Sequence, residues 1–185
     1  MIFGILLIVV VLIAIFWVVI YNNLVKRRNW VDESFSQIDV QLQRRNDLIP
    51  NLVNTVKGYA SHESGTFEAV TKARQQLINL PADTDPAVVN AMSNELSGAL
   101  SRLLVVAEQY PDLKANTNFL QLQGTLEKTE QQIATSRQLY NSTVTQYNTT
   151  VETIPTNIVA GVHGFSRRSL LETPEEARQV PEVQF

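Results

Sequence analysis

The sequence contains no cysteine. Disulfides, zinc–thiolate sites and thiol catalysis are therefore excluded, and the composition fits a reducing compartment. Histidine is nearly absent as well, with only His62 and His163, far apart in the chain. His62-Glu63 superficially resembles the start of a zinc-protease helix, but the second histidine of that motif would stand at position 66, which is Thr66. Too few ligands remain for a metal centre. There is no glycine-rich phosphate loop and no Gly-x-Ser-x-Gly turn. Basic surplus is lacking too: the net charge is −3, which gives no hold on a nucleic acid by counterion release. These absences lead to the expectation of a chain that is not an enzyme, with no cofactor, no small-molecule substrate and no nucleic-acid partner.

What the sequence has instead is an apolar run from Ile2 to Ile20, with no charged side chain before Lys26. Its 19 residues, at about 1.5 Å each, cross a hydrocarbon core of roughly 30 Å. Trp17 and Tyr21 stand near its end, where amphipathic aromatics favour the headgroup zone. A cleaved signal peptide is the rival reading. It calls for a basic start, a shorter apolar core and a small-residue cleavage site, none of which is present. The basic flank Lys26-Arg27-Arg28 follows the run, so the positive-inside rule predicts a cytoplasmic C-terminal domain and a short N-terminus outside. Trp17, Tyr21, Lys26, Arg27 and Arg28 are the residues expected to orient the chain in the bilayer.

Beyond the anchor, roughly 160 residues suit one domain with its own core. Apolar residues recur at helical spacing, and no segment alternates like a strand. Val31, Phe35, Ile38 and Leu42 mark a first helix; Tyr21–Trp30 has no Gly or Pro, which allows it to continue the membrane helix, and a flexible joint between the two is the alternative. Asn46–Pro50 is expected to break it, because Pro50 lacks an amide hydrogen, with a kinked single helix as the alternative. A second helix to about Asn79 would bury Leu52, Val53, Val56, Ala60, Phe67, Val70 and Leu77, with Gly58 and Gly65 as weak spots. Asp85-Pro86 reads as the start of a third helix, with Asp85 as the cap. That helix carries Val89, Met92, Leu96, Ala99, Leu103, Val106 and Tyr110 on one face, and Pro111-Asp112 marks its break or kink.

The fourth helix has the strongest pattern: Phe119, Leu126, Ile133, Tyr140, Tyr147 and Ile154 recur every seven residues. Thr129, Ser136 and Thr143 beside the stripe suit one wall of a bundle core better than a coiled-coil dimer seam. After Pro155 the periodicity fades, yet Phe165, Leu170, Leu171, Val183 and Phe185 are apolar and need a surface to cover. They are candidate assembly contacts. Asp39, Arg45, Glu63, Arg74 and Arg137 fall near the apolar stripes and form a candidate polar core layer. Its functional reading is tuned acid–base chemistry. The plainer reading, pairing that fixes helix register at little net gain, fits better where no histidine or cysteine accompanies the layer.

Three stretches carry a family resemblance. They are Tyr21-Asn22-Asn23-Leu24-Val25, then Phe35-Ser36-Gln37-Ile38-Asp39-Val40-Gln41-Leu42-Gln43-Arg44-Arg45, then Asp47-Leu48-Ile49-Pro50-Asn51-Leu52-Val53. Val56-Lys57-Gly58-Tyr59, His62-Glu63, Tyr147-Asn148, Ile154-Pro155 and Gly164-Phe165 extend it over nearly the whole chain. The sequence resembles the LemA family of bacterial membrane proteins, with Ile154 and Leu170-Leu171 where that family more often has aromatics. The resemblance implies an all-α protein: a transmembrane helix at 1–25, an antiparallel four-helix bundle of long helices at 26–155, and an extended C-terminal tail at 156–185. It implies no enzymatic activity. The family includes a magnetosome-associated relative and is linked with a membrane metalloprotease of the HtpX type.

The function expected from these features is a scaffold at the bacterial inner membrane that forms homo-oligomers or docks partner proteins. An adaptor or regulator of a membrane protease is the second reading. An unrecognised hydrolase using Glu63 or Arg74 is a distant third.

Overall fold

The computed structural model describes residues 2–60 and 62–172. Among them every regular element is a helix: α1 (Ile2–Lys57), α2 (Ser64–Ile78), α3 (Pro86–Ala107), the single turn α4 (Pro111–Lys114), α5 (Thr117–Glu152) and α6 (Thr156–Val162). At 56 residues, α1 is about 84 Å long. It passes residue 25, the expected end of the anchor, without interruption.

Contrary to the expected break at Asn46–Pro50, α1 also contains Pro50 in its interior. Proline at position 50 removes the amide that would bond the Asn46 carbonyl four residues back. The Arg74 guanidinium fills the gap, its Nε–H donating to Asn46 O at 2.9 Å. A side chain of α2 thus replaces the backbone donor that α1 lacks. The helix ends instead at Lys57, just before Gly58, where Tyr59 and Ala60 both turn back onto the Val56 carbonyl. Glycine there lowers helix propensity by about 1 kcal/mol relative to alanine.

The start of α3 follows the sequence pattern. Asp85 accepts a hydrogen bond from the Ala87 amide at 2.7 Å, and Pro86 occupies the first turn. α3 stops at Ala107 and Pro111 opens α4, which agrees with the break read at Pro111. On α5 the seven-residue stripe Phe119, Leu126, Ile133, Tyr140 and Tyr147 is buried throughout. Ile154 departs from the stripe: it lies past the helix end and is 79% exposed. Seven of the eight threonines of α5 behave alike. Thr125, Thr129, Thr135, Thr143, Thr145, Thr149 and Thr150 each donate their hydroxyl to the carbonyl four residues back.

Packing divides the chain into two groups. One comprises residues 37–137 with Leu171 and Glu172. Here Ile49, Leu52 and Val56 of α1, Phe67, Val70 and Leu77 of α2, Leu96, Leu100 and Leu103 of α3, and Phe119 and Leu126 of α5 share one apolar core. The other comprises residues 2–36 and 138–170. Ile20 and Leu24 of α1 pack there with Val159 and Ala160 of α6, alongside Trp17, Val151 and Phe165. The large apolar side chains from Ile2 to Val19 are otherwise exposed, Trp17 being half-buried. This part of α1 is long and apolar enough to cross a membrane.

Candidate functional sites, a buried arginine layer and an aromatic collar

The first site belongs to the group built on residues 37–137. Arg45 of α1 is fully buried. Its Nη1 donates to Ser97 Oγ at 2.9 Å and to Glu130 Oε1 at 3.1 Å, and its Nη2 donates to Ser93 Oγ at 3.0 Å. Arg137 of α5 donates to the same Ser93 Oγ at 2.7 Å. Ser97 Oγ lies 3.2 Å from Ser93 O and 3.3 Å from Glu130 Oε2. Two guanidiniums therefore meet one carboxylate across two serines set one turn apart on α3. Burial, and after it the Arg45 charge, lowers the Arg137 pKa, while Glu130 offsets part of the shift.

Of the five polar residues singled out in the sequence, this layer unites Arg45 and Arg137. Arg74 acts elsewhere, on the Asn46 carbonyl. Glu63 is half-buried at the start of α2 and makes no side-chain capping bond. Asp39 keeps an exposed surface, yet partial desolvation by the surrounding protein raises its carboxyl pKa. Ser93, Ser97 and Glu130 complete the layer and were not singled out. Ser93 and Ser97 are four apart on the inner side of α3, and two small polar residues beside Leu96 and Leu100 were the signal available. A network of arginines, serines and one acid is of the kind that fixes helix register.

The second site belongs to the group of residues 2–36 and 138–170. Trp17 Nε1 donates to His163 Nε2 at 3.1 Å. The Tyr21 ring lies 4.7 Å from the His163 ring and 5.9 Å from Phe165. Arg28 sits 5.4 Å over the Phe165 ring, and Lys26 sits 5.7 Å over Trp30. Trp17, Tyr21 and Arg28, three of the five residues expected to orient the chain, thus form an aromatic and cationic collar with His163 and Phe165, which follow α6, while Lys26 reaches Trp30 instead. Gly164 permits this return, with a positive φ of 72° that disfavours any side chain.

The segment after the turn is clamped by Asn148. Its Nδ2 donates to Arg168 O and its Oδ1 accepts from Arg168 N, both at 2.9 Å. Arg167 pairs with Glu152 at 2.9 Å, and Arg168 lies 3.8 Å from Asp32. Burial pushes the Tyr147 phenol above its ordinary pKa, with Arg168 and Arg28 pulling the other way. Among the candidate assembly residues, Phe165 is half-buried in the collar, Leu171 is buried and Leu170 is 50% exposed. Val183 and Phe185 lie outside the described residues.

The sequence model of the LemA family matches residues 34–185. The chain belongs to the LemA family. It is 30% identical over 140 residues to Protein LemA of Metamycoplasma hominis, an alignment covering 75% of this chain and 63% of that protein. It is 25% identical over 170 residues to Magnetosome protein MamQ 2 of Paramagnetospirillum magneticum, with 80% of this chain and 62% of the relative covered. The identity to Magnetosome protein MamQ of Magnetospirillum gryphiswaldense is 23% over 170 residues, with the same coverage. This LemA-family chain thus spans somewhat under two thirds of the length of the curated relatives it matches. None of these names denotes a catalyst. Together with the apolar start of α1, they suggest a membrane-associated helical protein with a single membrane pass.

Proposed function

We propose that this chain is a non-enzymatic scaffold anchored in the bacterial inner membrane, which assembles with its own copies and docks partner proteins there. The observation that carries the reading is α1. One unbroken helix supplies both an exposed apolar segment of membrane length and, from Ile38 onward, a buried wall of a helical core. Lys26, Arg27 and Arg28 favour a cytoplasmic location for that core. The arrangement of α1, α2, α3 and α5 around a shared core fits an antiparallel four-helix bundle, and the residues beyond α6 would be the assembly element.

Because Phe165 and Leu171 are already covered by their own chain, the self-assembly reading narrows to Leu170 and to Val183 and Phe185. The test is the mass of the full-length protein in mild detergent, beside Leu170→Glu and beside a chain ending at Glu172. Truncation at Pro155 is less clean, since it also removes α6 and the clamp on Asn148. A defined oligomer that dissociates in either variant supports the scaffold. A monomer in every case refutes self-assembly and favours the second reading, an adaptor for a membrane metalloprotease of the HtpX type.

A further inference from the structure

Helix α6 has two unlike faces. Val159 and Ala160 are buried against Ile20 and Leu24. Ile158 and Val162, four residues apart, are 57% and 66% exposed, and Ile154 just ahead of the helix is 79% exposed. A four-residue step puts Ile158 and Val162 on one side of the helix.

The level of α6 along α1 is set by contacts at its C-terminal end. His163 accepts the Trp17 Nε1 hydrogen bond, and the Tyr21 ring packs on its imidazole. Trp17 and Tyr21 close the apolar run that begins at Ile2. Nineteen steps of about 1.5 Å carry the helix from Ile2 to Tyr21 across about 28 Å, nearly the full hydrocarbon thickness. Helix α6 is therefore held at the edge of that layer, where tryptophan and tyrosine themselves prefer to sit.

Charge fits the same place. This packing group carries Lys26, Arg27, Arg28, Arg167 and Arg168 against Asp32, Glu33 and Glu152, a positive balance in a chain whose net charge is −3. Basic side chains just beyond an apolar segment favour anionic headgroups.

We propose that α6 is a second membrane contact: Ile154, Ile158 and Val162 lie in the boundary between headgroups and acyl chains of the bilayer that α1 crosses, with Lys26, Arg27 and Arg28 among the headgroups. The proposal rests on α1 spanning a membrane and is independent of the scaffold reading. Its occupant is lipid because the buried face of the same helix packs on Ile20, the last residue of the apolar run, which sets the exposed face at the level where the span leaves the hydrocarbon. A seven-residue helix is too short to bind a bilayer alone. Fixed to α1, it needs no separate association, and its apolar side enters only as deep as an interfacial helix does, about 5–10 Å.

The absence of native cysteine allows one label at a time. The full-length protein carrying Ile158→Cys, Val162→Cys or, as an exposed reference on α5, Lys128→Cys is coupled to an environment-sensitive fluorophore. Each is reconstituted into phosphatidylcholine–phosphatidylglycerol vesicles. A nitroxide placed high on the acyl chain then competes with iodide in the water as quencher. The expected result is nitroxide quenching at 158 and 162 at least threefold stronger than at 128, with iodide quenching in the opposite order. Equal iodide quenching at 162 and 128 overturns the proposal. Protection from iodide without nitroxide quenching also overturns it, and assigns the face to a protein neighbour such as a second copy.

Discussion

The proline within α1 sets up a quantitative test. Pro50 cannot donate to the Asn46 carbonyl, and Arg74 does so at 2.9 Å. Arg74→Met keeps the aliphatic stem and removes the donor. Asn46 is a buried residue, so its carbonyl is left with neither partner. A buried unpaired acceptor costs about 1–3 kcal/mol. Arg74 is only half-buried, which lets some water in, so about 1–1.5 kcal/mol is expected. In a Pro50→Ala background the alanine amide can reach Asn46 O in the ordinary helical pattern, and Arg74→Met should then cost under about 0.5 kcal/mol. The coupling energy is therefore about 1 kcal/mol, which urea unfolding in mild detergent resolves across the four variants of a double-mutant cycle. Effects that add within about 0.3 kcal/mol would refute the idea that Arg74 replaces the missing amide.

Four further outcomes are expected. Glu130→Ala leaves the fully buried Arg45 without the carboxylate it pairs with, a change that costs about 3 kcal/mol. Thermal melts should show Arg45→Met combined with Glu130→Leu losing less than Glu130→Ala alone. Asp39→Asn should stabilise the protein at neutral pH. The folded-state carboxyl pKa is raised by desolvation, so ionised Asp39 costs stability above that value and the cost disappears as the proton returns. The advantage of asparagine in melting temperature should shrink with falling pH and vanish below the ordinary value of 3.8. Gly164→Ala forces a side chain into a positive φ of 72° with no crowding around it, so its cost of about 1–2 kcal/mol is purely conformational and should appear in the same melts. Leu103→Ala, at a wholly buried position of the α3 core, should lose about 2–5 kcal/mol and serves as the reference for a core lesion.

The parts of the fold legible in the sequence were those with a local cause. The seven-residue stripe from Phe119 to Tyr147, the Asp85-Pro86 helix start and the apolar membrane segment each follow from side chains a few positions apart. At Pro50 the single-helix alternative holds and the break does not, because the compensation comes from Arg74, 24 positions further along the chain. Nothing near position 50 announces a donor on another helix. Arg45 and Arg137 stood out as charges beside apolar stripes. Ser93, Ser97 and Glu130 did not, since serine and glutamate on a helix usually face water, and only the packing of three helices turns them inward. The collar shows the same limit. Trp17 and Tyr21 were read as interface aromatics, but their bond and ring contact to His163 join positions whose separation no spacing rule covers.

The threonines of α5 alter what that helix shows to its surroundings. Seven hydroxyls spend their hydrogen on carbonyls of their own helix. Those hydrogens are then withheld from any partner outside the helix. A helix that reads as polar by composition therefore offers fewer donors than its letters imply, and any molecule settling along it would need few acceptors of its own.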